Sequence, residues 1–88
     1  MSYAQKLSAR AVKVLDRLEK DPQNRVLARI GQLAAAPYDS RLSIKLTDQR
    51  DLRGSRVGHW RIIFVVDDEA KEIKILTIDR RDQVYKRV

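Results

Sequence analysis

The chain has 88 residues, room for one domain, and carries 19 lysines and arginines against 12 acidic residues, a formal net charge of +7. Such a balance points to a polyanionic partner, and to nucleic acid before a membrane surface, because no long apolar run, signal peptide or lipidation motif is present. Cysteine is absent, which removes a disulfide framework and a thiolate metal site and makes a reducing cytoplasm the expected compartment.

No repeat or low-complexity linker divides the chain, so residues 1–88 read as a single domain. Tyr3 to Leu7 is predicted as a first strand, after which Ser8 supplies the side-chain oxygen of a helix start. In the first helix Ala11, Val14, Leu15 and Leu18 make one apolar stripe. Asp21-Pro22 marks a restart, with aspartate as cap and proline at the first helical position. The second helix runs to about Ala36, its stripe formed by Val26, Leu27, Ile30, Leu33 and Ala34, and Pro37 closes it. A short connection implies that the two helices form an antiparallel pair. Ser40 to Arg50 reads as an irregular connection.

Leu52 to Val57, Trp60 to Val66 and Glu72 to Ile78 are three Val/Ile-rich strands, joined by Gly58-His59 and by Asp67-Asp68-Glu69. The middle one is apolar at nearly every residue, as a strand covered on both faces should be, and Arg61 is its one charge. The expected architecture is a small α+β domain: an antiparallel sheet packed on an N-terminal antiparallel helix pair, in the order β-α-α-β-β-β with a short C-terminal helix.

If Gly58-His59 is a two-residue II′ turn, Val57 pairs with Trp60 and Arg56 with Arg61. Like charges facing each other on a sheet are destabilising. An RNA phosphate would relieve them; so would a one-residue bulge between them, or a neighbouring acid such as Asp79. A second basic cluster lies in the tail, where Arg81 and Tyr85, four apart, share one side of a final helical turn. Either they reach one substrate together, or the turn is a surface helix in which Tyr85 packs down. The acids of Asp67-Asp68-Glu69 have no histidine partner and no ligand spacing, so neither a metal nor another cofactor is expected.

The second half of the chain, Leu52-Arg53-Gly54-Ser55-Arg56-Val57-Gly58-His59-Trp60-Arg61-Ile62-Ile63-Phe64, then Val66-Asp67-Asp68-Glu69, then Ile78-Asp79-Arg80-Arg81-Asp82-Gln83-Val84-Tyr85, resembles the RelE/ParE toxin superfamily of bacterial type II toxin–antitoxin systems. The shared features are a basic strand, an R-V-G-x-aromatic-R run into an apolar strand, an acidic turn and a closing R-x-x-V-Y. The first half fits the same pattern, so the resemblance spans nearly the whole chain. It implies the RelE-like microbial ribonuclease fold and one of two activities. RelE-like members cut messenger RNA in the ribosomal A site without metal, by attack of a ribose 2′-oxygen on the adjacent phosphate; ParE-like members poison DNA gyrase.

The RNA-cutting branch uses basic strand residues, an arginine on the central strand, a later arginine and a near-terminal tyrosine. Arg56, Arg61, Arg81 and Tyr85 match those positions. The resemblance therefore makes Arg61, Arg81 and Tyr85 the expected catalytic residues and Arg53, Arg56, Arg80 and Lys45 the expected phosphate-binding ones. Arginines suit the role because they grip a phosphate bidentately and offset the charge of a pentacoordinate transition state. His59, the one histidine, cannot supply a histidine acid–base pair, which leaves Tyr85 as base or as a stacking surface. The chain departs from the pattern at Gly54, where a lysine is usual and for which Arg53 could substitute in a shifted register, and at Arg80, where many relatives have histidine. The expected partners are a cognate antitoxin lying over the apolar and basic surface, messenger RNA on the ribosome, and operator DNA through the antitoxin complex; a degenerate toxin that only binds these partners is the third reading.

Overall fold

A computed structural model describes residues 2–46 and 51–80. Its elements are β1 (Ala4–Leu7), α1 (Ala9–Arg17), α2 (Lys20–Ala35), β2 (Ile44–Lys45), β3 (Arg53–Val57), β4 (Trp60–Asp67) and β5 (Glu72–Arg80). The strands form one sheet in the order β1-β5-β4-β3-β2. β1 runs parallel to β5, and every other neighbouring pair is antiparallel. The α+β reading holds, with two corrections. The sheet is mixed, and the connection expected to be irregular contains a two-residue strand, β2, paired with Arg53 and Gly54. The expected C-terminal helix lies outside the described residues.

Ser8 starts α1 as its chemistry predicts: its Oγ accepts the Ala11 N–H at 3.0 Å and donates to the Leu76 carbonyl at 2.6 Å, so one hydroxyl both caps the helix and ties it to β5. The start of α2 differs from expectation. Glu19 occupies the cap position without a side-chain bond, and Asp21 falls inside the first turn, where its carboxylate meets the positive end of the helix dipole. Pro22 is then the third helical residue, still within the turn whose N–H groups lack helical partners. Gln23 donates to the Leu15 carbonyl at 2.8 Å and so joins the start of α2 to the end of α1.

Both helices lie on one face of the sheet, α1 along β5 and α2 across β1, β3 and β5. Ala11, Leu15, Val26, Ile30, Leu33 and Ala34 from the helices close on Ile62, Phe64, Ile73, Ile75 and Ile78 from the strands. Leu27, counted in the α2 stripe from its spacing, is instead 45% exposed. Strand alternation alone would send Ile75 and Ile78 to opposite faces. A bulge prevents this: Phe64 pairs with Ile75 and Ile63 with Thr77, so Leu76 is the extra residue, and Ile73, Ile75 and Ile78 all reach the core.

Candidate nucleic-acid interface

The face of the sheet away from the helices carries Arg56 and Arg61, and the β3–β4 hairpin places them. Gly58 has φ 59° and His59 no positive φ, the pattern of a II′ turn, which needs glycine at its first central position. The register is the one this turn demands: Val57 pairs with Trp60 and Arg56 with Arg61, without a bulge. The pair beside such a turn exchanges both backbone bonds, so the next pair is the non-hydrogen-bonded one, with Cα atoms about 4.5 Å apart and side chains at their closest. The row continues onto β5, where Asp79 stands opposite Arg61. Asp79 is ion-paired with Arg10 at 3.6 Å.

Arg61 is buried to 7% exposure, whereas Arg56 is open to solvent. Gly54 explains the difference. A Cβ there would stand 3.5 Å from Arg61 Cδ and 3.7 Å from Arg61 Cγ, in ordinary contact, and 3.2 Å from Leu46 Cδ2; a side chain reaching beyond Cβ would enter the space in which the Arg61 stem lies across β3. The absence of the usual side chain at position 54 makes the bed on which the central arginine rests.

Two further arginines join them. Arg29 of α2 donates from Nη1 to Ser55 Oγ at 3.0 Å and to the Arg56 carbonyl at 2.9 Å, satisfying a backbone group that β2 is too short to reach. Ser55 Oγ in turn donates to the Leu42 carbonyl at 2.6 Å, which fixes the loop before β2. In that loop Asp39 accepts from the Arg41 N–H at 2.9 Å, from Nε at 3.2 Å and from Nη2 at 2.9 Å. These bonds hold the Asp39 carboxyl below the ordinary carboxylate range. Arg29, Arg41, Arg56 and Arg61, with Ser40, Leu42, Ser43, Ile44 and Gly54, line one cleft of about 300 Å³. Among the described residues no acidic one lines it. An open cleft of one charge sign concentrates anions.

The other sequence candidates lie elsewhere. Arg53 projects to the opposite face of β3, where Nε donates to Ser43 Oγ at 3.0 Å and the guanidinium covers the Tyr38 ring at 5.2 Å. With Lys45, Tyr38, Asp51, Val66 and Asp68 it lines a separate cavity of about 350 Å³. Beside this cavity Asp68 accepts from the hydroxyls of both Tyr3 and Tyr38, each at 2.6 Å. The shared carboxylate is thereby held below its usual range, while the bond to Asp68 pushes the Tyr38 phenol up to about 12. Arg80 stacks over Trp60 at 5.6 Å, beyond the far edge of the hairpin. Among the described residues no three acidic, His or Cys groups converge as a metal-holding cluster. Arg81 and Tyr85 lie outside the described residues.

Residues 5–85 match the family model of the ParE toxin of the type II toxin–antitoxin system, parDE. The chain belongs to this toxin family. Solved structures agree with the fold. The toxin is 33% identical to a chain of the archaeal RelE–RelB complex of Pyrococcus horikoshii OT3, with 92% of this chain and 97% of that one covered and a TM-score of 0.79. It is 24% identical to a chain of the Mycobacterium tuberculosis RelBE2 toxin–antitoxin complex, covering 92% and 100% with a TM-score of 0.81. The isolated RelE toxin of E. coli is 18% identical, covering 98% and 94% with a TM-score of 0.79. A search of curated proteins finds no match.

Of the toxin's expected phosphate-binding residues, the fold brings Arg56 to Arg61 and separates Arg53, Lys45 and Arg80 from them. Arg53 cannot substitute for the residue missing at position 54, because a strand sends neighbours to opposite faces and the register is unshifted. Arg29 and Arg41 were not identified from sequence. Arg29 did leave a signal: it follows Val26 by three and precedes Leu33 by four, which puts a charge beside the buried stripe. Arg41 left none, since its place depends on a loop tethered by tertiary bonds.

Proposed function

We propose that this toxin is a metal-independent messenger RNA endonuclease that acts in the ribosomal A site. The observation carrying this reading is the cleft in which Arg61, flattened over Gly54, sits beside Arg56, Arg29 and Arg41, with no acid in the lining among the described residues. In the reaction the 2′-oxygen forms a bond to the adjacent phosphorus and the 5′-oxygen leaves, giving a 2′,3′-cyclic phosphate. The 2′ proton passes to a base and the departing 5′-oxygen takes up a proton. Arg61 and Arg81 grip the phosphate and offset its growing charge. Tyr85 accepts the 2′ proton, its phenolate favoured by nearby arginines. A cognate antitoxin masks the same surface with acidic side chains, as suits a relative of toxins solved as toxin–antitoxin complexes, and operator DNA is engaged only through that complex.

The test is primer extension on a translating message with purified toxin, with and without ribosomes. New ends inside codons, formed only with ribosomes, support the reading. Arg81→Ala should remove both the cuts and growth arrest while antitoxin binding stays nearly unchanged; persistent arrest would show the catalytic assignment to be wrong. The match to a ParE family model favours gyrase inhibition as the second reading. An intact message together with blocked supercoiling by purified gyrase would establish that one, and inertness in both assays would leave a module that only binds its partners.

A further inference from the structure

We infer that Arg29 and Arg41 form a second phosphate subsite, which holds the phosphodiester next to the one gripped at Arg61, with Arg56 beside it; the inference rests on the RNA-cutting reading above. Both guanidinia are built in, not merely nearby. Arg29 commits Nε to Gln32 Oε1 at 3.0 Å and Nη1 to Ser55 Oγ at 3.0 Å and the Arg56 carbonyl at 2.9 Å. Its Nη2 amine, among the described residues, has no protein acceptor. Arg41 commits Nε and Nη2 to Asp39, and its Nη1 amine is likewise unspent among the described residues, although the side chain is 87% exposed.

An exposed arginine ordinarily loses much rotamer freedom when it closes on an anion. Here that freedom has already been spent on protein bonds, so an entering oxyanion meets donors held in place. The supports are themselves fixed. Ser55 Oγ bonds the Leu42 carbonyl at 2.6 Å and Ser43 Oγ bonds the Pro37 carbonyl at 2.8 Å. The N–H groups of Leu42 and Ser43 both close on the Asp39 carbonyl, at 2.9 and 3.1 Å. One network therefore runs from α2 through Ser55 to the Arg41 loop, and it also carries the Arg56 backbone. Two arginines on β3 and β4 and two anchored on α2 and the loop thus share one cleft. A single phosphate does not need four guanidinia, whereas two consecutive phosphates of a strand running along the cleft do.

The experiment measures binding of the free toxin to a short single-stranded RNA with 2′-O-methyl sugars, which cannot be cut, over a range of salt. Each phosphate contact of a single strand contributes about 0.7 to the slope of log K against log salt. Arg41→Gln should weaken binding on the order of tenfold and lower that slope by about 0.7. Lys13→Gln, an equal charge change on the exposed side of α1, should leave the slope unchanged. Arg29→Lys, checked for an unchanged melting temperature, should weaken binding at unchanged net charge. If Arg41→Gln keeps the wild-type slope, or Lys13→Gln lowers it equally, the subsite is overturned while ribosomal cleavage by the wild type still upholds the reading beneath it. Wild-type toxin that binds this RNA without salt dependence overturns the subsite whatever happens on the ribosome. An Arg41→Gln variant that loses affinity for the antitoxin alone assigns the pair to a protein partner and overturns it as well.

Discussion

Asp68 shows how one side chain can join distant parts of a small chain. Its two carboxylate oxygens take the hydroxyls of Tyr3, before β1, and Tyr38, after α2. Because its folded pKa is lowered, its contribution to stability is complete above the unfolded carboxylate value of roughly 4 and is lost as pH falls through the folded value. Tyr38 has the opposite sense: raised to about 12, it contributes fully below its unfolded value and loses that contribution as pH rises through about 12. Melting temperatures between pH 5 and 3 should therefore fall more steeply for the wild type than for Asp68→Asn, and Tyr38→Phe should blunt the loss on the alkaline side. At the cleft, Gly54→Ala should fold, because the contact at 3.2 Å is to the mobile end of Leu46. The same Cβ would meet the Arg61 stem only at ordinary contact distance, so under the proposed reading cleavage should stay near the wild-type rate. The longer side chain of Gly54→Leu should instead lift Arg61 from its bed and slow cleavage, with circular dichroism as the folding check.

The β3–β4 hairpin is the element where local chemistry and final structure agree. Gly58 alone in its turn takes a positive φ, and the two-residue turn then determines every cross-strand pair, so the Arg56–Arg61 juxtaposition was legible before any coordinates. Gly58→Val should cost about 1–2 kcal/mol, with Gly58→Asn costing less, as read by denaturant midpoints. β2 was not legible, since two residues carry no periodicity and become a strand only because Arg53 and Gly54 are there to receive them. The parallel placement of β1 was equally hidden, because short apolar segments do not announce the direction of their neighbour. The cap of α2 is not legible either, because Asp21-Pro22 suits the first turn as well as the boundary. Arg29 and Arg41 escaped for a related reason: their partners are a backbone carbonyl at a sheet edge and a loop carboxylate, which only the folded chain brings near. Arg53 looks like a member of the same basic strand cluster in sequence because composition does not distinguish the faces of a strand.

At the scale of the whole molecule, one core joins both helices to the middle of the sheet, and Phe64 lies fully buried at its centre. Phe64→Ala should destabilise the toxin by about 3–5 kcal/mol, enough to threaten a domain this small. Saturating antitoxin should recover part of the lost melting temperature by binding the folded form alone. β5 lies between β1 and β4, and Ala4 finds its partner in Glu72. The first strand to leave the ribosome must therefore wait for the last described strand before it can join the sheet. Until β5 has been made the nascent toxin lacks a complete sheet, so the ribosome making it works beside an unassembled poison, and cognate antitoxin can be present when assembly completes.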